Sequence, residues 1–216
     1  MKNFLAKLFR KPQRFYTSDL HIGHQNVIAY CNRPFTNKEE MNKAIVKEWN
    51  RTVSNKDTVY ILGDFSLSPK VALEYFPKLN GRKILVSGNH DATFIAHKKH
   101  AKFVKRYEEA GVLTYSDAIY HELKDNTLVI LSHLPYLQEG YDQRYKEFRP
   151  EDTGNILLCG HLHGKFKKNG RIIDVGIDAH GLKLISEDDI IALINDPRDF
   201  IPSLLTDWYN ERNKNI

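Results

Sequence analysis

Five short clusters in this 216-residue chain carry side chains suited to holding metal ions: Asp19-Leu20-His21, Gly63-Asp64, Gly88-Asn89-His90-Asp91, His133 and Gly160-His161-Leu162-His163. Compact carboxylate, amide and imidazole donors suit divalent transition metals. Asp19, Asp64, Asn89, His21, His133, His161 and His163 offer enough donors for two cations, and His90 is left as a spare imidazole. Paired cations activate water and offset the charge of a phosphoryl group, so the chemistry such a set points to is hydrolysis at phosphorus. Any one cluster is weak, since an Asp-x-His pair or a lone histidine after a strand is commonplace. The ordered set is stronger, because core packing gives no common reason for polar residues to end several apolar runs.

Those runs are the elements that must position the clusters. Arg14 to Ser18 reads as a strand that delivers Asp19 and His21, Thr58 to Leu62 as one that delivers Asp64, and Lys83 to Ser87 as one that delivers Asn89 and His90. Gly63, Gly88 and Gly160 stand directly before ligand-type residues, where a permissive backbone would let each strand turn sharply without a side chain entering the site. Helices are expected over 26–30 and 71–76, with a long basic helical region over 91–110. Thr36-Asn37-Lys38-Glu39 has the form of a capping box ahead of Met41, Ala44, Ile45, Trp49 and Val53 at helical spacing.

The second half turns to strands. Residues 118–123 and 127–131 flank Lys124-Asp125-Asn126, and 165–168 and 171–175 flank Asn169-Gly170, both as hairpins. Ser186-Glu187-Asp188-Asp189 can start a helix through Leu193. The expected fold is α/β (α+β): a four-layer α/β/β/α sandwich of two mixed sheets with helices outside and the ligand loops gathered at one edge. We divide the chain into a basic N-terminal extension (1–13), one domain (14–195) and a tail (196–216), which Phe200, Leu204, Leu205 and Trp208 would dock in part.

Composition excludes several classes. No apolar run approaches the roughly 20 residues of a membrane-spanning helix, and lysine interrupts the apolar residues of the N-terminus, against a secretory signal; a frayed or packed terminal segment is preferred there over a membrane-surface helix. Cys31 and Cys159 are too few and too widely spaced for a disulfide framework, which fits a reducing cytoplasm, and Cys159 reads as a small core hydrophobe. The net charge of +5 would help an anionic substrate approach, without identifying it. The densest basic cluster is His97-Lys98-Lys99-His100 with Lys102, Lys105 and Arg106, read first as a solvated helix face and second as a nucleic-acid contact.

The ordered clusters resemble the calcineurin-like metallophosphoesterase superfamily over about residues 14 to 180. The wider text, Thr17-Ser18-Asp19-Leu20-His21-Ile22-Gly23-His24-Gln25-Asn26, Cys31-Asn32-Arg33-Pro34-Phe35 and Leu79-Asn80-Gly81-Arg82-Lys83, is similar to a compact bacterial and phage branch of it. The resemblance implies Asp19, His21 and His163 on a first metal, Asn89, His133 and His161 on a second, and Asp64 bridging the two. Two divalent cations against two carboxylates leave a cationic centre that favours phosphate oxygens, and a metal-bridging hydroxide would serve as nucleophile. His90 would protonate the leaving oxygen or stabilise the phosphoryl charge, and Asp91 would orient its loop or cap a helix. His24, Arg33 and Asn89 are candidate substrate contacts, with a supporting hydrogen bond an equal reading for His24 and a surface or helix-packing role preferred for Arg33; His180 is read as a structural turn. Mn²⁺ is favoured by the resemblance, with Fe, Zn, Co or Ni also compatible with mixed nitrogen and oxygen donors.

The leading reading is therefore a cytoplasmic dinuclear phosphoesterase with phosphodiesters preferred, acting on nucleotides, cyclic nucleotides or nucleic-acid ends. The alternatives are a nuclease acting on DNA or RNA and a non-catalytic metal-binding interaction scaffold.

Overall fold

A computed structural model describes residues 10–137 and 144–201. Strands β1 (Arg14–Thr17), β2 (Thr58–Ile61), β3 (Arg82–Val86) and β4 (Val112–Tyr115) pair side by side in parallel. The register, with Phe15 opposite Val59 and Val59 opposite Lys83, brings the C-terminal ends of β1, β2 and β3 to one edge. The second sheet contains β5 (Ile119–Glu122), β6 (Leu128–Leu131), β7 (Ile156–Cys159), β8 (Lys168–Asn169) and β9 (Ile172–Asp174) in the order β5-β6-β7-β9-β8. Its middle strands β6, β7 and β9 are parallel, while β5 and β8 join as antiparallel hairpin arms. β10 (Ile185–Ser186) returns to the first sheet, antiparallel to β1, so the order there is β10-β1-β2-β3-β4. A parallel bridge between Ser18 and Gly176 ties the two sheets together where their ligand-bearing ends emerge.

Helices α1 (Val27–Tyr30), α2 (Lys38–Thr52), α3 (Pro69–Tyr75) and α4 (His100–Glu109) contribute to the core against the first sheet through Val27, Ile28, Met41, Ile45, Trp49, Ala72 and Tyr107. α5 (Glu187–Asn195) packs Ile190 into the core between the sheets, beside Tyr16, Leu62 and Val86 from one sheet and Val129, Leu131, Leu158 and Ile173 from the other. This is the expected α/β arrangement of two mixed sheets with flanking helices. Among the described residues no helix is long and apolar enough to cross a membrane.

Local departures from the sequence reading have identifiable causes. α2 is capped one residue later than expected: Asn37 accepts from the Glu40 N–H, and the Glu40 carboxylate reaches back to Thr36. The helix expected from residue 91 begins only at His100, because Asp91 is turned inward to accept backbone N–H groups and residues 91–99 form turns. β4 and β10 escaped the sequence reading, being four and two residues long without a clear alternating pattern. α5 starts at its Ser186/Asp189 capping box, as read, and runs two residues beyond Leu193. Phe200 pairs its backbone with Lys167 and Lys168, so the tail docks at least there; Leu204, Leu205 and Trp208, and residues 1–9, lie outside the described residues.

Candidate active site

Each cluster leaves the C-terminal end of a parallel strand: Asp19 follows β1, Asp64 follows β2, Asn89 and His90 follow β3, His133 follows β6, and His161 follows β7. Loops at that edge of a parallel sheet can converge, since every strand delivers its chain in the same direction. The turns there are tight. Asp19, His21, Asp64, His161 and His163 all hold φ between +49° and +68°, a left-handed region that asparagine, aspartate and histidine tolerate best among residues with a Cβ. Each such position costs of order 1–3 kcal/mol and persists only where surrounding contacts over-determine it.

The three glycines before ligand residues share close approach as a reason, and Gly63 adds a second. Gly63 has φ +84°, as expected for a sharp turn, and a Cβ on it would also sit 2.5 Å from His133 Nδ1 and 2.6 Å from the Gly88 backbone. Gly88 and Gly160 have no such φ and are required by close approach: a Cβ on Gly88 would sit 2.3 Å from Asp64 Oδ1, and one on Gly160 would sit 2.5 Å from Ser18 Oγ and 2.7 Å from Asp19 Oδ2.

Asp64 is the hub. Its Oδ2 lies 3.6 Å from His21 Nε2 on one side and 3.5 Å from His133 Nε2 on the other, and its Oδ1 accepts the His90 backbone N–H at 2.9 Å. Two groups of donors could each hold a cation: Asp19, His21 and His163, and Asp19, Asp64 and His133, with all donor atoms in each group within 4.8 Å of one another. Asn89 Oδ1 faces His133 Nε2 at 3.0 Å, and the His161 ring lies edge-on to that of His133 at 5.3 Å. Asp19 accepts from the Ser18 hydroxyl and from the His161 backbone N–H.

The donor set fits divalent cations on two grounds. His21 is 3% exposed, yet both ring nitrogens lack a hydrogen-bond partner, a costly state for buried polar atoms unless something else binds them. Burial holds its pKa well below the ordinary value despite the pull of Asp19, which keeps the ring neutral and its lone pair available. His133 can meet the Leu62 carbonyl at 2.9 Å only by donating from Nδ1, which leaves Nε2, aimed at Asn89 Oδ1 and Asp64 Oδ2, as the nitrogen able to ligate a cation. Burial works against a charge on this ring, but Asp64 and Asp19 hold its pKa above the ordinary value, so the pocket attracts positive charge, whether proton or metal. Burial also works against the charge on Asp19, but the neighbouring His163, His133 and His21 hold its pKa below the usual carboxylate value.

Several residues outside the donor set hold it in place. Asp91, fully buried, accepts backbone N–H groups from Asp64, Phe65, Ser66 and Gly88, which makes it the loop-orienting residue expected. His24 sits half-buried at the rim, with its ring 5.7 Å from that of His21. His90 is exposed on the same rim, its ring also 5.7 Å from His21. His180 donates from Nε2 to the Asp174 carbonyl, a turn contact as read, and Cys159 is buried in the core.

Arg33 is not at the rim. It is 3% exposed, and its guanidinium is spent on both oxygens of Asp178, the carbonyls of Asp19 and Leu20, and the Met41 sulfur, so it has no donor left for a substrate phosphate. Both the candidate substrate contact and the surface position are thereby corrected: Arg33 lies inside, against Met41 and the turn of Asp19 and Leu20. Asp178 was missed by the sequence reading, although Val175-Gly176-Ile177-Asp178 repeats the pattern of an apolar run, a glycine and an acid. It accepts from His163 Nδ1 at 3.1 Å, and Cys31 Sγ lies 3.2 Å from the same nitrogen.

A family model described as "Calcineurin-like phosphoesterase superfamily domain" matches residues 15–174. The Gene 66 protein of Mycobacterium phage L5 is 34% identical over 195 residues, covering 84% of this chain and 93% of that protein. The protein MJ1445 of Methanocaldococcus jannaschii is 51% identical over 80 residues, 36% of this chain and 46% of that protein. The crystal structure of AQ665 from Aquifex aeolicus, a protein of unknown function, shares the fold with a TM-score of 0.62 at 24% identity, covering 85% of this chain and all of that one. The chain belongs to the calcineurin-like phosphoesterase superfamily, whose chemistry is metal-dependent hydrolysis of phosphoesters.

Proposed function

We propose that the chain is a dinuclear metal-dependent phosphodiesterase. Asp19, His21 and His163 hold a first divalent cation, Asn89, His133 and His161 hold a second, Asp64 binds both, and Mn²⁺ is the preferred ion. The observation that carries this reading is the single carboxylate oxygen of Asp64 placed almost equally between His21 and His133, with the buried His21 imidazole otherwise unpartnered. A bound cation pair supplies Lewis acidity and an activated water for attack at phosphorus.

The chain's own residues supply the rest. Asp64 fixes the His90 main chain through its N–H, while the exposed His90 ring stays free to give a proton from a ring nitrogen to the leaving oxygen or to stabilise phosphoryl charge. His24 and Asn89 orient the phosphate. Among the described residues the largest charge effects on His21 and His24 come from Asp19, Asp64, His90, His163 and Arg33, and Arg33 has no free donor. A rim whose nearest cationic groups are histidines suits the single charge of a diester better than the double charge of a monoester. Neither Cys31 nor Cys159 forms a disulfide, in keeping with a cytoplasmic setting.

The test compares Mn²⁺-loaded protein on bis-p-nitrophenyl phosphate and on p-nitrophenyl phosphate. Faster turnover of the diester is expected; a preference for the monoester removes the diester assignment, and no turnover of either by protein carrying two cations removes the enzyme reading.

A nucleic-acid substrate is a second reading, favoured by the exposed Lys98, Lys99, Lys102 and Lys105, which have no acidic partner among the described residues and follow closely after His90. Charge reversal of these four should weaken oligonucleotide binding and cleavage together and flatten their salt dependence. Unchanged cleavage would remove it.

A further inference from the structure

We propose that Arg33 and Asp178 are positioning residues that set the first cation centre selectively, by fixing how His163 presents its Nε2 toward Asp19. The inference rests on the cation assignment proposed above.

The chain of contacts is continuous. Asp178 Oδ2 lies 3.1 Å from His163 Nδ1, and on the far side of the ring His163 Nε2 is 3.9 Å from Asp19 Oδ1. A carboxylate on one imidazole nitrogen fixes the tautomer and raises the donor strength of the other. Asp178 is itself immobilised: Arg33 Nε and Nη2 each reach one of its oxygens at 2.9 Å. The same Nη2 donates to the Asp19 carbonyl at 2.6 Å, and Nη1 to the Leu20 carbonyl at 3.0 Å. These carbonyls belong to the turn in which Asp19 and His21 hold φ of +56° and +50°. One guanidinium therefore braces both sides of the first centre, the loop carrying Asp19 and His21 and the acid behind His163.

Two further considerations favour this role over mere packing. A fully buried ion pair adds little net stability over a well-packed apolar replacement, because desolvation offsets its attraction. In addition, the group Cys31, His163 and Asp178 has the spacing of a third cation site. Arg33 occupies both Asp178 oxygens and puts a fixed positive charge there, which disfavours a cation in that group while Asp178 Oδ2 stays in contact with His163 Nδ1.

The second centre is braced differently, His133 Nδ1 being held by the Leu62 backbone carbonyl, which no side-chain substitution removes. The prediction is thus centre-specific. Metal-free full-length protein would be titrated with Mn²⁺ by calorimetry and with Co²⁺ by visible absorption, comparing wild type, Asp178→Asn, Arg33→Lys and Cys31→Ser. Asp178→Asn keeps the shape and removes the charge; Arg33→Lys keeps the charge and removes the fork. Both should weaken one of two binding steps about 10- to 100-fold and alter the Co²⁺ spectrum of that step. The other step should stay within about twofold, serving as the check on folding, and Cys31→Ser should leave both intact.

Affinities and spectra unchanged in Asp178→Asn and Arg33→Lys overturn the proposal, as does an equal loss at both centres. A loss in Cys31→Ser matching that in Asp178→Asn overturns it in favour of the thiol. Failure of wild type to bind two cations overturns the underlying assignment instead.

Discussion

Adding one methyl group at Gly88 should disable the proposed metal centre without replacing a ligand. The Cβ of Gly88→Ala would stand 2.3 Å from Asp64 Oδ1, 2.5 Å from Asp64 N and 2.9 Å from His133 Nδ1. The first two are roughly an ångström inside ordinary contact, and neither neighbour can yield cheaply. Asp64 N is tied to Asp91 at 2.8 Å, and Asp64 Oδ1 to the His90 N–H at 2.9 Å. Overpacking of this kind costs about 1–3 kcal/mol, and at about 2–4 °C per kcal/mol for a chain of this size the Tm should fall by about 2–12 °C. If Asp64 relieves the clash by moving about 1 Å, a displacement of that size costs on the order of 100-fold in rate, about 2.7 kcal/mol of barrier. Gly111→Ala is the control: φ is +80° with nothing within 4 Å, so it should cost about 1–2 kcal/mol of stability through backbone strain alone. Thermal unfolding, calorimetric Mn²⁺ titration and diester hydrolysis would be measured on both variants. Gly88→Ala retaining two cations at wild-type affinity with wild-type turnover refutes the claim that this close approach positions the Asp64 carboxylate for the proposed cation pair.

Three other outcomes follow from the same geometry. His90→Ala should keep both cations, because His90 stands outside the buried donor set, and lose turnover by about 10²–10⁴-fold; full turnover would move the acid role elsewhere, and a scaffold would keep its partner binding. Chelation should lower the Tm, since saturation at about 100 times Kd contributes about 2.7 kcal/mol; an unchanged Tm in a differential scan would mean that no tightly held cation was lost. His121, half-buried beside the Tyr16 hydroxyl, has its pKa pushed down to about 4 by burial and then by Arg14. Released to its ordinary 6.5 on unfolding, it takes up a proton, so its contribution is complete above pH 6.5 and is lost as pH falls toward 4. Tm measured on chelated protein from pH 7 to 4.5 should therefore fall less steeply in His121→Gln than in wild type, and parallel curves would contradict the assignment.

By itself the sequence determined where strands end and what they deliver. Apolar β-branched runs bury themselves, and the first polar residues after them must emerge at an edge, so Asp19, Asp64, Asn89, His133 and His161 were readable as strand-end residues from local pattern alone. The hairpin around Lys124-Asp125-Asn126, the apolar stripe of α2 and the capping box of α5 were legible for the same reason, each being a contact within a few residues. Tertiary structure decided what depends on distant parts of the chain meeting. Arg33 reads as a solvent-facing cation until Asp178, 145 residues away, is folded against it. Asp91 resembles a helix cap until backbone N–H groups from the neighbouring strand end claim its oxygens and delay α4 to His100. Gly88 and Gly160 look like turn glycines, yet what excludes a side chain there is the carboxylate of another strand's loop, a steric fact that exists only once the sheets have packed.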